Sequence, residues 1–303
     1  GTDPEIERRV TTLETVTVGL ADQWNSVDKR VAAVASLIND LRPQVTEIHF
    51  PERPVIAIEG RQHKEFNKVV RLVGEGLNVY LAGPPGTGKS HLCQQVAIAL
   101  GLTYGSESCD PTMSPTALFG FRDANGNLQR TPYMDTCDYG GLFSFEEFDK
   151  CHPGVLSKIN TGVANRVCAF PDGMHVFHAD ARFIANANTW GKEGPVKGHE
   201  SAMKLDVATR NRFVKVWIGY DEAMEEELAL RQYDHADTHK WIAKVRQYRQ
   251  AALDLGVNEY FTPRNSIDGA RMLRAGFDMN EVTEMSLTAD LSVETARKIL
   301  ERI

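Results

Sequence analysis

Between residues 6 and 41 the seam positions Ile6, Val10, Leu13, Thr17, Leu20, Trp24, Val27, Val31, Val34, Ile38 and Leu41 follow one another in steps of four and three. Such steps keep one narrow stripe on one side of an α-helix, and Arg8, Glu14, Asp22, Lys29 and Arg30 stand off it. The pattern predicts a helix of about five heptads. Pro4 is tolerated in its first turn and Pro43 ends it. So strict a stripe reads as a coiled coil over residues 1–42 that assembles or docks the protein. A long amphipathic helix lying on its own domain is the alternative, and it would show a broader apolar face. Thr17 and Gly19 interrupt the seam, and the sequence does not fix the number of strands.

Pro43, Pro51 and Pro54 in "PQVTEIHFPERP" mark residues 43–54 as a linker. From 55 to 220 short apolar runs alternate with helical segments, which predicts an α/β core with a mostly parallel sheet. Beyond Tyr220 the strand-like runs stop. "DEAMEEELALRQY", "THKWIAKVRQYRQAALDLG" and "TPRNSIDGARMLRAG" then read as successive helices of a smaller all-α domain over 221–303. The acidic run at 221–227 reads as the solvated face of the first of them. Two hairpins stand out within the core. "LFGFRDANGNLQRTPYM" is expected to turn at Asn125-Gly126 as a two-residue hairpin, and "RVCAFPDGMHVFHADARF" at Pro171-Asp172-Gly173.

Composition narrows the class. With 303 residues, 42% hydrophobic and 25% charged, the chain is ordinary for a soluble globular protein of one or two domains. No run approaches the roughly 18 apolar residues of a membrane span, and no signal peptide is recognisable. Cys93, Cys109, Cys137, Cys151 and Cys168 are odd in number and contain no CxxC pair. That argues against a disulfide framework or zinc site and predicts a reducing, cytoplasmic setting. A net charge of −7 gives no support to a protein that coats duplex nucleic acid.

The strongest local signal is "NVYLAGPPGTGKSHLCQQVAIALG" at 78–101. Gly83, Gly88, Lys89 and Ser90 satisfy GxxxxGK[ST]. Val79–Ala82 reads as a buried strand before the loop, and Leu92, Val96 and Leu100 as the apolar face of a helix that stops at Gly101. Glycines in such a loop let successive backbone N–H groups wrap a phosphate at the positive end of a helix. Gly83, Pro84, Pro85, Gly86, Thr87, Gly88, Lys89, Ser90 and His91 are therefore the expected ATP-binding residues. Lys89 would bridge the β- and γ-phosphates and the Ser90 hydroxyl would ligate Mg²⁺.

About fifty residues further on, "GGLFSFEEFDK" ends a strand in two carboxylates. Hydrolysis needs one carboxylate beside the Mg²⁺ ion and another to deprotonate the attacking water. Glu146 takes the first role in this reading and Glu147 the second. Glu146 stands where aspartate is usual, and its extra methylene carries the carboxylate about 1.5 Å further. Ser144, inside a strand that should be apolar, is a second irregularity. A competent but slow ATPase is expected.

At this point the chain resembles the AAA+ ATPases, and within them the MoxR-like group that includes CbbQ/NorQ- and CobS-type proteins. The resemblance covers roughly residues 55–275. "GPPGTGKS" resembles Walker A and "LFSFEEFD" Walker B, while "ARFIANANTWG" resembles the strand that carries the sensor 1 asparagine, here Asn188. "LDVATRNRF" is similar to the family's arginine-finger segment. It implies Arg212, with Arg210 close enough to compete. "FTPRNSIDGARML" is similar to the lid helix with the sensor 2 arginine, here Arg264. The resemblance implies a P-loop AAA+ core with a small α-helical lid, a hexameric ring, and the two hairpins facing a pore or substrate. It also implies a chaperone-like role on a protein client, often one with a von Willebrand factor A domain. "DANGNLQRTPYM" and "AFPDGM" look most like AAA+ proteins of phages and prophages. His63 and Ile58 lie where this fold often packs the adenine.

Two other functions remain open to the sequence. A nucleic-acid translocase would use Phe121, Arg122 and Arg130 of the first hairpin, and an ATP-gated scaffold would bind nucleotide without turnover.

Overall fold

The computed structural model describes residues 24, 27, 29–31, 45–48, 56–192, 202–257 and 259–303. The chain divides into two units, Gly1–Glu47 with Ala57–Arg61, and Ile48–Ile56 with Gln62–Ile303. In the first, Trp24, Val27 and Lys29–Val31 are helical, and Trp24, Val27 and Val31 are exposed. The other positions of the expected heptad seam lie outside the described residues. β1 (Val45–Ile48) pairs with β2 (Ile56–Glu59) in a two-stranded sheet. The stretch read as a linker therefore contributes a strand. Its β-branched Val45, Thr46 and Ile48 favour extended backbone between the flanking prolines.

In the second unit α1 (Phe66–Gly74) leads into β3 (Val79–Ala82) and α2 (Lys89–Leu100). β4 (Tyr104–Ser108), α3 (Pro132–Tyr139), β7 (Gly141–Glu146), α4 (Pro153–Asn165) and β10 (Ala181–Ala187) follow. α5 (Val207–Asn211) and β11 (Val214–Trp217) close the core. The five strands β11-β3-β10-β7-β4 form one sheet with every neighbour parallel. Parallel strands covered on both faces lose the apolar–polar alternation. Accordingly all four residues of β3 are buried, and β7 is buried up to Phe145. An aromatic cluster fills the core beside β7. Tyr133 meets Phe143 edge-on at 5.2 Å between centroids, and Phe145 lies 5.7 Å from Phe148.

Both hairpins are present. β5 (Phe121–Arg122) pairs antiparallel with β6 (Leu128–Gln129), and β8 (Val167–Phe170) with β9 (Gly173–Val176). The first does not turn on a two-residue Asn125-Gly126 loop. The Asp123 backbone N–H donates to Asn127 O at 2.9 Å, so the loop is the three residues 124–126, and the Asp123 carboxylate accepts from the backbone N–H of Asn125 at 2.9 Å and of Asn127 at 2.8 Å. An aspartate that gathers the amides ahead of it favours this wider loop.

After β11 the described residues form helices only. α6 (Glu222–Leu230), α7 (Ala236–Leu255), α8 (Pro263–Arg274) and α9 (Val293–Leu300) surround Trp241, Val245, Tyr248, Phe261 and Ile299. α8 starts at a capping box in which Asn265 Oδ1 accepts from the Thr262 backbone N–H at 2.7 Å. The acidic run at 221–227 is not simply a solvated face. Glu225 turns inward and is 1% exposed. Its carboxylate takes both terminal nitrogens of Arg249, at 3.0 and 2.6 Å, and the Ser266 hydroxyl at 2.6 Å. No helix among the described residues is long and apolar enough to cross a membrane. All five cysteines are free and buried.

Candidate active site

β3, β10 and β7 are neighbours, and the segments leaving their C-terminal ends meet at one cleft of about 450 Å³. That is where open parallel sheets present their functional residues. Pro85 through His91 line it, while Gly83 and Pro84 lie outside the lining, where their carbonyls hold Lys89. Two glycines in the loop are required by close approach. A Cβ on Gly83 would sit 1.9 Å from the Ile218 carbonyl oxygen, and one on Gly86, at φ +75°, 2.7 Å from Thr262 Cβ. The second contact sets the phosphate loop directly against the cap of α8. Gly88, at φ 82°, then starts α2, so the unpaired N–H groups of a helix N-terminus border the cleft.

Lys89 Nζ donates to Gly83 O at 2.8 Å, to Pro84 O at 2.9 Å and to Asn188 Oδ1 at 3.1 Å. Burial pulls its pKa down to about 8. The Arg264 charge pulls in the same direction, and the carboxylates of Asp149 and Glu146 oppose both. Asn188 follows directly on β10, which brings the asparagine and the lysine together.

Glu146 ends β7 and reaches α2. Ser90 Oγ donates to its Oε2 at 2.6 Å. A hydroxyl and a carboxylate side by side are hard oxygen donors of the kind Mg²⁺ takes, with phosphate oxygens and water completing the shell. The residues present thus fit the metal that the nucleotide would carry. Among the described residues no group of three or more His, Cys, Asp or Glu forms a metal site of its own. The irregular Ser144 has a place here as well. Its hydroxyl donates to Glu146 Oε1 at 2.6 Å, and Asn186 on β10 donates to the same oxygen at 2.8 Å.

Glu147 adopts a left-handed backbone, φ 50° and ψ 39°, which costs energy for a residue with a Cβ and turns its side chain away from the strand's alternation. It lines the cleft and accepts a hydrogen bond from Lys150 Nζ at 2.8 Å. Arg264, in the first turn of α8, lines the opposite wall. At another part of the lining stand His63, Met224, Leu228 and Ile267. His63 Nδ1 accepts from the Glu65 backbone N–H, so its Nε2–H donates to Gly219 O at 3.0 Å. Ile58 is not among the lining residues.

Arg212 is elsewhere. Its Nε donates to Asn160 O at 3.1 Å, and it borders a second groove of about 340 Å³ with Asp206 and Thr209. Arg210 lines neither cleft nor groove. The sequence reading missed Asn186, Ser144 as a partner of Glu146, and Asp149. Asp149 is 1% exposed and accepts from Thr189 N at 3.0 Å and Thr189 Oγ1 at 2.8 Å, which fixes the residue after Asn188. A buried polar residue on a central strand was the available signal for Ser144. Asn186 could be found only from the register that brings it beside Glu146.

Residues 78–213 match the model of an AAA domain, dynein-related subfamily. Protein MoxR of Paracoccus denitrificans is 26% identical over 176 residues, covering 56% of this chain and 50% of its own length. An uncharacterised protein of Staphylococcus haemolyticus (strain JCSC1435), SH1500, is 25% identical over 167 residues, 51% of this chain and 60% of its own. The chain thus spans between half and two thirds of these relatives. Among solved structures, NtrX from Brucella abortus superposes with a TM-score of 0.49 at 14% identity, covering 76% of this chain and 54% of that one. The Thermotoga maritima RuvB Holliday junction branch migration motor gives 0.45 at 16% identity, covering 79% and 69%. The matched segment runs from the strand before the phosphate loop to just past the arginine-bearing helix, so over residues 78–213 the chain is similar to the AAA domains of the dynein-related subfamily, and it is similar in sequence to MoxR.

Proposed function

We propose that this chain is an ATP-hydrolysing, ring-forming motor that remodels a protein partner. The observation that carries this reading is one cleft holding Lys89, the Ser90–Glu146 pair, Glu147, Asn188 and Arg264, while Arg212 lies away from it on another groove. Lys89 would exchange its two carbonyl partners for the β- and γ-phosphate oxygens. Ser90 and Glu146 would hold Mg²⁺, which when bound neutralises charge on the phosphates. Glu147 would leave Lys150 to accept the proton of the attacking water, oriented with Asn188. Arg264 would sense the γ-phosphate from the lid. Arg212 would serve the cleft of a neighbouring copy, so turnover would need assembly, expected as a hexamer.

The hairpins support a protein client over nucleic acid. Met174 and Val176 of the second are 67% and 75% exposed, and Phe121 of the first is 47% exposed. The arginines offered for nucleic acid are engaged within the chain. Arg122 donates to Gly126 O at 2.8 Å, and Arg130 pairs with Asp135 at 2.7 Å and Asp138 at 2.6 Å. A partner with a von Willebrand factor A domain is the expected client type.

Steady-state ATP hydrolysis measured against protein concentration tests the reading. Turnover per chain is expected to rise as copies assemble, to vanish in Glu147→Gln, and to be kept or raised in Glu146→Asp. Background turnover by the unmodified chain at every concentration, with ATP still bound, would sink the motor and leave an ATP-switched scaffold.

A further inference from the structure

Glu146 is held by more than the phosphate loop. Ser144 lies two residues back on β7 and so on the same face of the strand. Its hydroxyl and the Asn186 amide both donate to Glu146 Oε1, at 2.6 and 2.8 Å, and Asn186 Nδ2 also reaches Ser144 Oγ at 3.0 Å. Oε2 is left to Ser90. Ser144 and Asn186 are 0% and 1% exposed, on two neighbouring interior strands of the sheet. Cys93 on α2, fully buried, backs the amide, with its sulfur 3.6 Å from Asn186 Oδ1 and 3.4 Å from Nδ2. Burial pushes that thiol up to about 12, so the neutral S–H persists through the physiological range. Since a carboxylate only accepts, Asn186 presents Nδ2 to it.

A glutamate has one more rotatable bond than an aspartate, and an unpinned carboxylate at a strand end would lose that freedom each time a metal bound. Two donors fixed on Oε1 remove the freedom in advance, as supporting hydrogen bonds do for metal ligands generally. We propose that Ser144 and Asn186 are positioning residues of the metal site, which hold Glu146 Oε1 so that Oε2 faces Mg²⁺ beside the Ser90 hydroxyl. They are this chain's accommodation of glutamate in place of aspartate. The inference rests on the cleft being a Mg²⁺–nucleotide site, and does not require that turnover be fast.

The test uses the full chain with ADP and Mn²⁺ as the metal probe. Bound Mn²⁺ is read by electron paramagnetic resonance, and nucleotide affinity is read separately in EDTA. Ser144→Ala and Asn186→Ala are each expected to weaken Mn²⁺ binding about tenfold, with affinity in EDTA and the melting temperature little changed. Combined with Glu146→Asp, whose shorter side chain draws the carboxylate back from Oε1's partners, the same substitutions are expected to shift Mn²⁺ binding no further. Unshifted binding in the single variants overturns the proposal and leaves the nucleotide site standing. An equal loss with and without Glu146→Asp also overturns it, because the pair would then act through strand packing. Absence of Mn²⁺–ADP binding by the unmodified chain overturns both readings together. Should Asn186→Ala unfold, Ser144→Ala decides alone, since it removes one oxygen from an otherwise unchanged strand.

Discussion

Lys89 sits among carbonyls in a partly buried cleft, and the consequence is a pH dependence of binding. Its pKa is about 8, where burial has brought it from 10.5. ATP phosphates favour the ammonium form, so at pH values above 8 binding must take up the proton that the free site has lost. Affinity for ATP should therefore be flat below pH 8 and fall by up to about tenfold per pH unit above it. Titration with a fluorescent ATP analogue at pH 7, 8 and 9 checks this, and Lys89→Met should bind weakly with no such slope. An unmodified chain with equal affinity at pH 7 and 9 would contradict the burial argument. At this scale the sequence was legible where function is contiguous. Gly83 to Ser90 is one unbroken stretch, the loop and the start of α2, and Glu146 and Glu147 are one strand end. It was not legible where function crosses strands: Asn186 meets Glu146 only because β10 and β7 pair in a particular register. Nothing within "ARFIANANTWG" distinguishes the two asparagines by type.

Elements were readable where apolar period and punctuation agree. β3 and α2 carry both a buried run and bounding glycines, and α8 carries Thr262-Pro263 at its start. They were misread where a polar residue's partner is distant. Glu225 belongs to an acidic run on α6, yet it joins α6 to α7 through Arg249 and to α8 through Ser266. Burial on its own would raise the Glu225 carboxyl. The hydrogen bonds from Arg249 and Ser266, with the charges of Arg249 and Arg246, outweigh that and hold it below its ordinary 4.5. A depressed carboxyl stabilises the fold above the unfolded value, and that contribution is lost as pH falls through the folded one. Glu225→Gln leaves Arg249 buried without its carboxylate, a change that typically costs about 3–5 kcal/mol. Thermal unfolding at pH 7 should show that loss, and the variant should be less sensitive than the unmodified chain to acidification below about pH 4.5. Equal melting temperatures at pH 7 would mean that the three helices are held by their apolar core alone.

Across the whole molecule the decisive feature is the separation of Arg212 from the cleft that its own chain builds. A cleft and an arginine that one chain keeps apart can meet head-to-tail between copies, and a head-to-tail contact repeated with a constant rotation closes into a ring when that rotation divides a full turn and runs on as an open filament when it does not. This gives a test that needs no knowledge of the client. Arg212→Ala copies keep an intact cleft but offer nothing to a neighbour, and Glu147→Gln copies have a dead cleft but keep Arg212. Each alone should be silent. Mixed in equal amounts and allowed to exchange, about a quarter of the interfaces join an intact cleft to an intact arginine if assembly is random. Turnover should reappear at about that fraction of the unmodified rate. Recovery requires both that copies touch and that Arg212 acts across the contact. A mixture that assembles yet stays silent would move the role to another residue, and the same experiment with Arg210→Ala in place of Arg212→Ala identifies whether the competitor two positions earlier takes it. Activity in Arg212→Ala alone would remove the arginine from the mechanism and, with it, the requirement that a ring be formed for hydrolysis.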